Sequence, residues 1–229
     1  MNPMNNDTAL KLFQHTIQTE SRVRPDIHAG MLKLADQDVI ESASLQVTNA
    51  LALGERVWMT SDLHFGHKNI IDYCDRPFRD IAAMNEALLA QLGKVGPDEL
   101  LVIVGDVLMG DYETNIEFVR RIPGRKILVV GNHDFKRDGS CLLRRERDRS
   151  GDGPLFEAVV AFLVWTGAQG RAVMTTHYPL RLPGSHEISL PLLPMLNYHG
   201  HLHREVLAPT DRVKFMNVGW DVSHGLICI

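Results

Sequence analysis

Five short runs place carboxylate, amide or imidazole groups directly after apolar segments. They are "SDLH" with Asp62 and His64, "GD" with Asp106, "GNHD" with Asn132 and His133, "THYP" with His177, and "GHLH" with His201 and His203. Loops at the ends of buried strands are where a rigid frame carries chemistry. The donor types agree with one another. Aspartate oxygen, asparagine oxygen and neutral imidazole nitrogen suit divalent Mn, Fe, Co, Ni or Zn, and no cysteine falls in the set. One aspartate can serve two ions at once. Two ions about 3.5–4 Å apart can activate water and clamp phosphoryl oxygens. Each run alone has a plainer reading. Asp62 and Asp106 could cap a following helix or turn, and His177 could be a structural histidine. "GHLH" could be two exposed turn residues, and "GNHD" a turn in which Asn132 takes an unusual backbone angle. All five occurring along one chain favours a site.

These groups need elements to hold them. "RVWMTS" reads as a strand ending at Asp62, "LLVIVGD" as a β-branched buried strand, and "KILVVGNHD" as a third strand with its exit loop. Between them, residues 80–92 predict a helix with Met84, Leu88, Leu89 and Leu92 inward, and "YETNIEFVRRI" predicts another. Strand, helix, strand, helix, strand implies βαβ units. The second half differs. "FEAVVAFLVWTGAQGRAVMTTHYP" reads as a hairpin around a glycine-containing turn, and short strands follow in "MLNYHGHLH" and "RVKFMNVGWD". Two stacked sheets flanked by helices accommodate both halves. Before them, Leu10, Phe13 and Ile17 predict a helix over residues 7–19, capped at Asn6 or Asp7. Residues 31–53 give a mixed signal. Residues 1–55 therefore read as an N-terminal extension (an arm, a lid or an edge addition) and residues 56–229 as the main domain.

Composition sets outer bounds. The 229 residues are 45% hydrophobic, enough for one large globular domain. The formal net charge of -4 gives no overall basic field to attract nucleic acid, although a local patch could do so. Cys74, Cys141 and Cys228 are too scattered for a disulfide framework or a metal knuckle. The N-terminus lacks a secretory pattern, and no apolar run reaches membrane-spanning length. The expectation is a soluble cytoplasmic protein. No G-x-x-x-x-G-K-[ST] run is present to support nucleotide-driven chemistry.

Taken together, "DLH", "GD", "GNHD", "THYP" and "GHLH" resemble the ordered motifs of the calcineurin-like metallophosphoesterase superfamily. "SDLHFGHKNII" and "NVGWD" look like its small bacterial and phage-encoded branch. The resemblance runs from Arg56 to the C-terminus and leaves residues 1–55 outside. It implies an α/β fold, a four-layer double β-sandwich flanked by helices. It also implies hydrolysis of phosphate mono- or diesters by metal-activated hydroxide at two divalent ions, with manganese first and Fe, Zn, Ni or Co as alternatives. Carried across, Asp62, His64 and His203 hold the first ion, and Asn132, His177 and His201 the second, with Asp106 bridging. His133 binds no metal but stands beside the phosphate as electrostatic stabiliser or proton donor to the leaving oxygen.

Neighbouring residues carry weaker signals. Asp134 could orient His133 or a ligand imidazole, or simply stabilise the turn. His67 and Lys68 could reach the phosphate or the leaving group, or could be solvated loop residues. Asn217 could return to the metal pocket or serve a turn. Tyr112 and Tyr178 could line the mouth or pack inside. Lys136, Arg137, Arg144, Arg145, Arg147 and Arg149 form the best candidate for drawing in an anionic partner, although interspersed acids favour a solvated segment. Competing functions are a non-catalytic metal-dependent interaction module and a nuclease. The oligomeric state and the identity of the ester are not encoded in these motifs.

Overall fold

A computed structural model describes residues 4–20, 23–184, 190–191 and 194–229. The N-terminal segment folds as three helices, α1 (Asn6–Thr19), α2 (Pro25–Leu32) and α3 (Gln37–Ala52). Asn5, one residue before the predicted cap, accepts from Thr8 N at 2.8 Å and starts α1. Phe13 and Ile17 are buried as expected, with Leu12 rather than Leu10 completing the face. Pro25 opens α2, where its missing N–H costs nothing. Asp36 caps α3. The buried face of α3 is Ile40, Ala43, Ser44, Val47 and Ala50. Small and polar residues in that stripe explain the mixed sequence signal. Ser44 is inward because its Oγ accepts from Val164 N at 3.0 Å.

Two sheets follow. In the first, β1 (Val57–Thr60), β2 (Leu100–Ile103) and β3 (Arg125–Val129) pair in parallel. β4 (Ala158–Val160) lies parallel beside β3. Thr60 is level with Ile103, and Ile103 with Leu128, so β1 to β3 finish together at one edge. The second sheet contains β5 (Leu163–Thr166), β6 (Ala172–Thr175), β7 (Met195–His199) and β8 (Val213–Asn217), in that order. β5 and β6 form the predicted antiparallel hairpin, whereas β6, β7 and β8 are parallel. Thr175 is level with Tyr198, and Tyr198 with Met216. The predicted hairpin run thus divides. Its first apolar stretch supplies β4 to one sheet and β5 to the other, and the chain crosses between them at Ala161 and Phe162. Strand β9 (Ile227–Cys228) closes the first sheet antiparallel to β1.

The remaining helices are α4 (Lys68–Tyr73), α5 (Ile81–Leu92), α6 (Tyr112–Arg120) and the short α7 (Trp220–Ser223). Asp80 accepts from Ala83 N at 2.7 Å to begin α5, and Met84, Leu88, Leu89 and Leu92 turn inward as predicted. Helices therefore flank two sheets, the architecture expected from the sequence. The N-terminal helices share its interior. Phe13 meets Phe162 with ring centroids 5.2 Å apart, Ala161 N donates to Leu34 O, and Arg181 N donates to Thr16 Oγ1. Residues from α1, α2 and α3 lie in the same apolar core as β1, β2 and β3. Among the described residues, no helix is long and apolar enough to cross a membrane.

Candidate metal centre

Parallel strands put their C-terminal ends on one edge, and ligands in such folds gather outside those ends. Asp62 and His64 follow β1, Asp106 follows β2, and Asn132 and His133 follow β3. From the second sheet, His177 follows β6, and His201 with His203 follows β7. The exits are sharply bent. Asp62, His64, Asp106, His201 and His203 all have φ between 49° and 67°, five of the eight non-glycine positive-φ residues among those described. Left-handed backbone costs on the order of 1–3 kcal/mol per residue and persists where surrounding structure enforces it. Here the enforcement is hydrogen bonding. Asp62 N donates to Gly105 O, His64 N to Asp106 O, Gly200 N to His177 O, and Trp220 N to Ser61 O.

Three groups of donors result among the described residues, one of them Cys74, His203 and Asp221. Asp62, His64 and His203 offer ligand atoms within 4.8 Å of one another, and so do Asp62, Asp106 and His177. Asp106 Oδ2 lies 3.3 Å from His177 Nε2, 3.7 Å from His64 Nε2 and 4.0 Å from His133 Nε2. His67, His133 and His203 surround His64 with ring centroids 5.2–5.3 Å away. His201 stacks edge-on to His177 at 5.3 Å and to Tyr178 at 4.6 Å, while its N–H donates to both oxygens of Asp62. Asn132 Oδ1 accepts from Tyr178 Oη at 3.1 Å. The structure thus draws all seven expected ligands, and His133, to one place.

This donor set fits divalent cations. Asp62 and Asp106 are fully buried carboxylates, which need paired positive charge. Both ring nitrogens of His64 are buried without a hydrogen-bond partner among the described residues, and Nε2 of His177 faces the Asp106 carboxylate 3.3 Å away. Such orphaned atoms call for an explanation, and a bound cation supplies one. His177 Nδ1 donates to Val104 O at 2.8 Å, which leaves Nε2 aimed at Asp106 as a lone-pair donor. Electrostatics agree. Burial opposes charge on Asp106, but His177, His133 and His64 hold its carboxyl well below the usual range. Burial pushes the Asp62 carboxyl up, and it pushes His64 well below the ordinary imidazole value, towards the neutral form that binds metal.

Several supporting residues were invisible to sequence reasoning. Arg76 is buried, and its guanidinium grips both oxygens of Asp221 at 2.7 and 2.9 Å. The same group donates to the carbonyls of Asp62 and Leu63. Asp221 Oδ2 also accepts from His203 Nδ1 at 2.8 Å, which frees His203 Nε2 as a lone-pair donor. Burial works against charge on His203, yet Asp221 raises its pKa to about 10; burial likewise opposes charge on Asp221, while His203 and Arg76 hold it at about 2. "NVGWD" contained Asp221, but nothing in sequence linked it to Arg76.

Other expectations resolve differently. The Asp134 carboxylate accepts from the N–H groups of Asp106, Val107 and Gly131 at 2.8–3.0 Å, with no imidazole hydrogen bond among the described residues. It ties the β2 exit to the β3 exit through backbone. Asn217 turns its side chain to the backbone beside the site. Its amide donates to His203 O and Glu205 O and accepts from Gly219 N, bracing the "GHLH" loop. His67 remains at the site, with Nδ1 buried and without a hydrogen-bond partner among the described residues. Lys68 is exposed at the start of α4. Tyr178 packs inside, and Tyr112 Oη donates to Leu142 O. The three cysteines are unpaired.

The calcineurin-like phosphoesterase family matches residues 55–190, and the chain belongs to that family. The chain is 27% identical over 195 residues to the Gene 66 protein of Mycobacterium phage D29, covering 75% of this chain and 90% of that one. It is 32% identical over 82 residues to an uncharacterised protein of Methanocaldococcus jannaschii, covering 34% of this chain. The match spans 47%, about half, of that relative. A solved structure of a protein of unknown function from Aquifex aeolicus has a TM-score of 0.52 at 22% identity, covering 76% of this chain and 95% of that one. That likeness concerns the fold alone.

Proposed function

We propose that the chain hydrolyses phosphate mono- or diesters at a pair of divalent cations. Asp62, His64 and His203 would hold one, Asn132, His177 and His201 the other, and Asp106 would touch both. The observation that carries this reading is the convergence of buried carboxylates and imidazole nitrogens from both sheets on one edge. The donors suit manganese, with Fe, Zn, Ni or Co compatible. Bound there, such cations supply Lewis acidity that makes water nucleophilic near neutral pH.

The chain's own groups do the rest. His133 N donates to Asp106 Oδ1 at 2.8 Å, which anchors the residue beside the carboxylate at the centre. Its side chain is 37% exposed, in contrast to the buried His64 and His177, so its ring faces the mouth. From there His133 Nε2 stabilises the developing charge and donates a proton to the departing oxygen. Tyr178 holds the Asn132 oxygen, Asp221 holds the His203 ring, and Asp134 holds the loops. The test is hydrolysis of aryl phosphate mono- and diesters after chelation and metal add-back. The reading requires metal-dependent turnover that Asp106→Asn abolishes. Undiminished turnover in Asp106→Asn, or in chelated protein, would overturn it.

A further inference from the structure

Beside His133 lies a cleft of about 600 Å³. That volume matches sites for small organic ligands and exceeds what a bare phosphate fills. Asn132 and His133 form its inner end. Its walls are apolar, with Leu108 after β2, Phe135 after β3, and Ile27 from α2. Lys136 and Arg137 stand at its rim, exposed, with no side-chain ion pair within 4.0 Å among the described residues. Arg24 also lines it, but its guanidinium is engaged by Asp26 Oδ2 and Arg137 O. Among the described residues no carboxylate lines the cleft. The nearby Asp138 turns its carboxylate to the N–H and hydroxyl of Ser140.

We propose that this cleft receives the ester's organic group, and that the preferred group pairs an apolar body with a second anionic substituent. The inference rests on the phosphoesterase reading and deepens it. A phosphate addressed by His133 directs its departing oxygen towards this cleft, since His133 borders both. The apolar walls take the body of the leaving group, and Lys136 and Arg137 take the far negative charge. Ile27, from α2, lies outside the family match at residues 55–190, so one wall of the cleft comes from the N-terminal segment, while Lys136 and Arg137 lie within the match.

The full-length, manganese-loaded protein can be assayed on 2-naphthyl phosphate and on its 6-carboxy and 6-carboxamido derivatives. The carboxylate ester is expected to exceed the carboxamide in kcat/KM by about two- to fivefold, the scale of exposed ion pairs. Lys136→Ala with Arg137→Ala should collapse that ratio towards one. The same double variant should weaken binding of 6-carboxy-2-naphthylphosphonate, read by calorimetry. Equal kcat/KM for the two derivatives, or a preference the double variant keeps, overturns the cleft assignment while the phosphoesterase reading stands. No hydrolysis of any of the three, or of their methyl diesters, by metal-loaded protein overturns the parent reading, and this inference with it.

Discussion

Asp221 decides how His203 is used. Its carboxylate fixes the ring through Nδ1, and Arg76 fixes the carboxylate. Removing such a partner typically costs 10–100-fold in metal affinity. Asp221→Asn should therefore weaken manganese binding within about that range by titration calorimetry; unchanged affinity would reject the role. The metal-free protein gives an independent check. A group whose pKa is raised on folding stabilises fully below its unfolded value, near ~6.5 for histidine, and loses that contribution as pH rises through the folded value. Although burial opposes it, His203 is raised to about 10 by Asp221; His177, also against burial, is raised to about 9 chiefly by Asp106. Thermal stability of the metal-free wild type should fall between pH ~6.5 and 10. The fall should be smaller in Asp221→Asn, and a flat wild-type profile would contradict the pairing. For His133→Ala, metal content should persist while kcat drops by roughly 10²–10⁴; intact turnover would exclude its proton-donor role. The ligand types were legible in sequence because their chemistry is carried by identity and order. Arg76 and Asp221 were not, since they meet across 145 positions and look ordinary locally.

At the scale of elements, close packing of the loops sets the geometry. A methyl group on Gly131 would lie 2.3 Å from Asp106 Oδ1 and 2.9 Å from His177 Cε1. One on Gly105, whose φ is +87°, would lie 2.5 Å from His177 Nδ1. Gly131→Ala should cost about 1–3 kcal/mol of stability through overpacking and displace both ligands. Gly170→Ala is not comparable because of its positive φ, but Gly184→Ala, where no atom of the described residues lies within 4 Å of the added carbon, should be nearly neutral. Equal midpoints for Gly131→Ala and Gly184→Ala in urea unfolding would contradict this. Strands β1, β2 and β3 were readable because both faces are buried and the runs are continuously apolar. The β4–β5 crossing was not, since two strands in different sheets form one unbroken apolar run. Helix α3 was hidden by Ala43, Ser44 and Ala50 on its inner face.

For the whole molecule, the N-terminal helices are part of the folded body. Leu12, Phe13, Ile17, Met31, Ile40 and Val47 are all buried against it. At about 1.5–3 kcal/mol per side chain, these contribute on the order of 10 kcal/mol, comparable to the stability of an entire domain. A chain starting at residue 55 should accordingly fail to fold cooperatively; a cooperative melt like that of the full chain would show the helices to be dispensable. Periodicity revealed α1, but its docking depends on partners such as Phe162 and Arg181, far away in sequence. The central claim is the paired-cation site. Its most direct test is anomalous diffraction from manganese-soaked crystals. The account predicts two peaks about 3.5–4 Å apart, with Asp106 between them, His64 and His203 on one side, and His177 and His201 on the other. A single peak, or ions bound away from these residues, would contradict it.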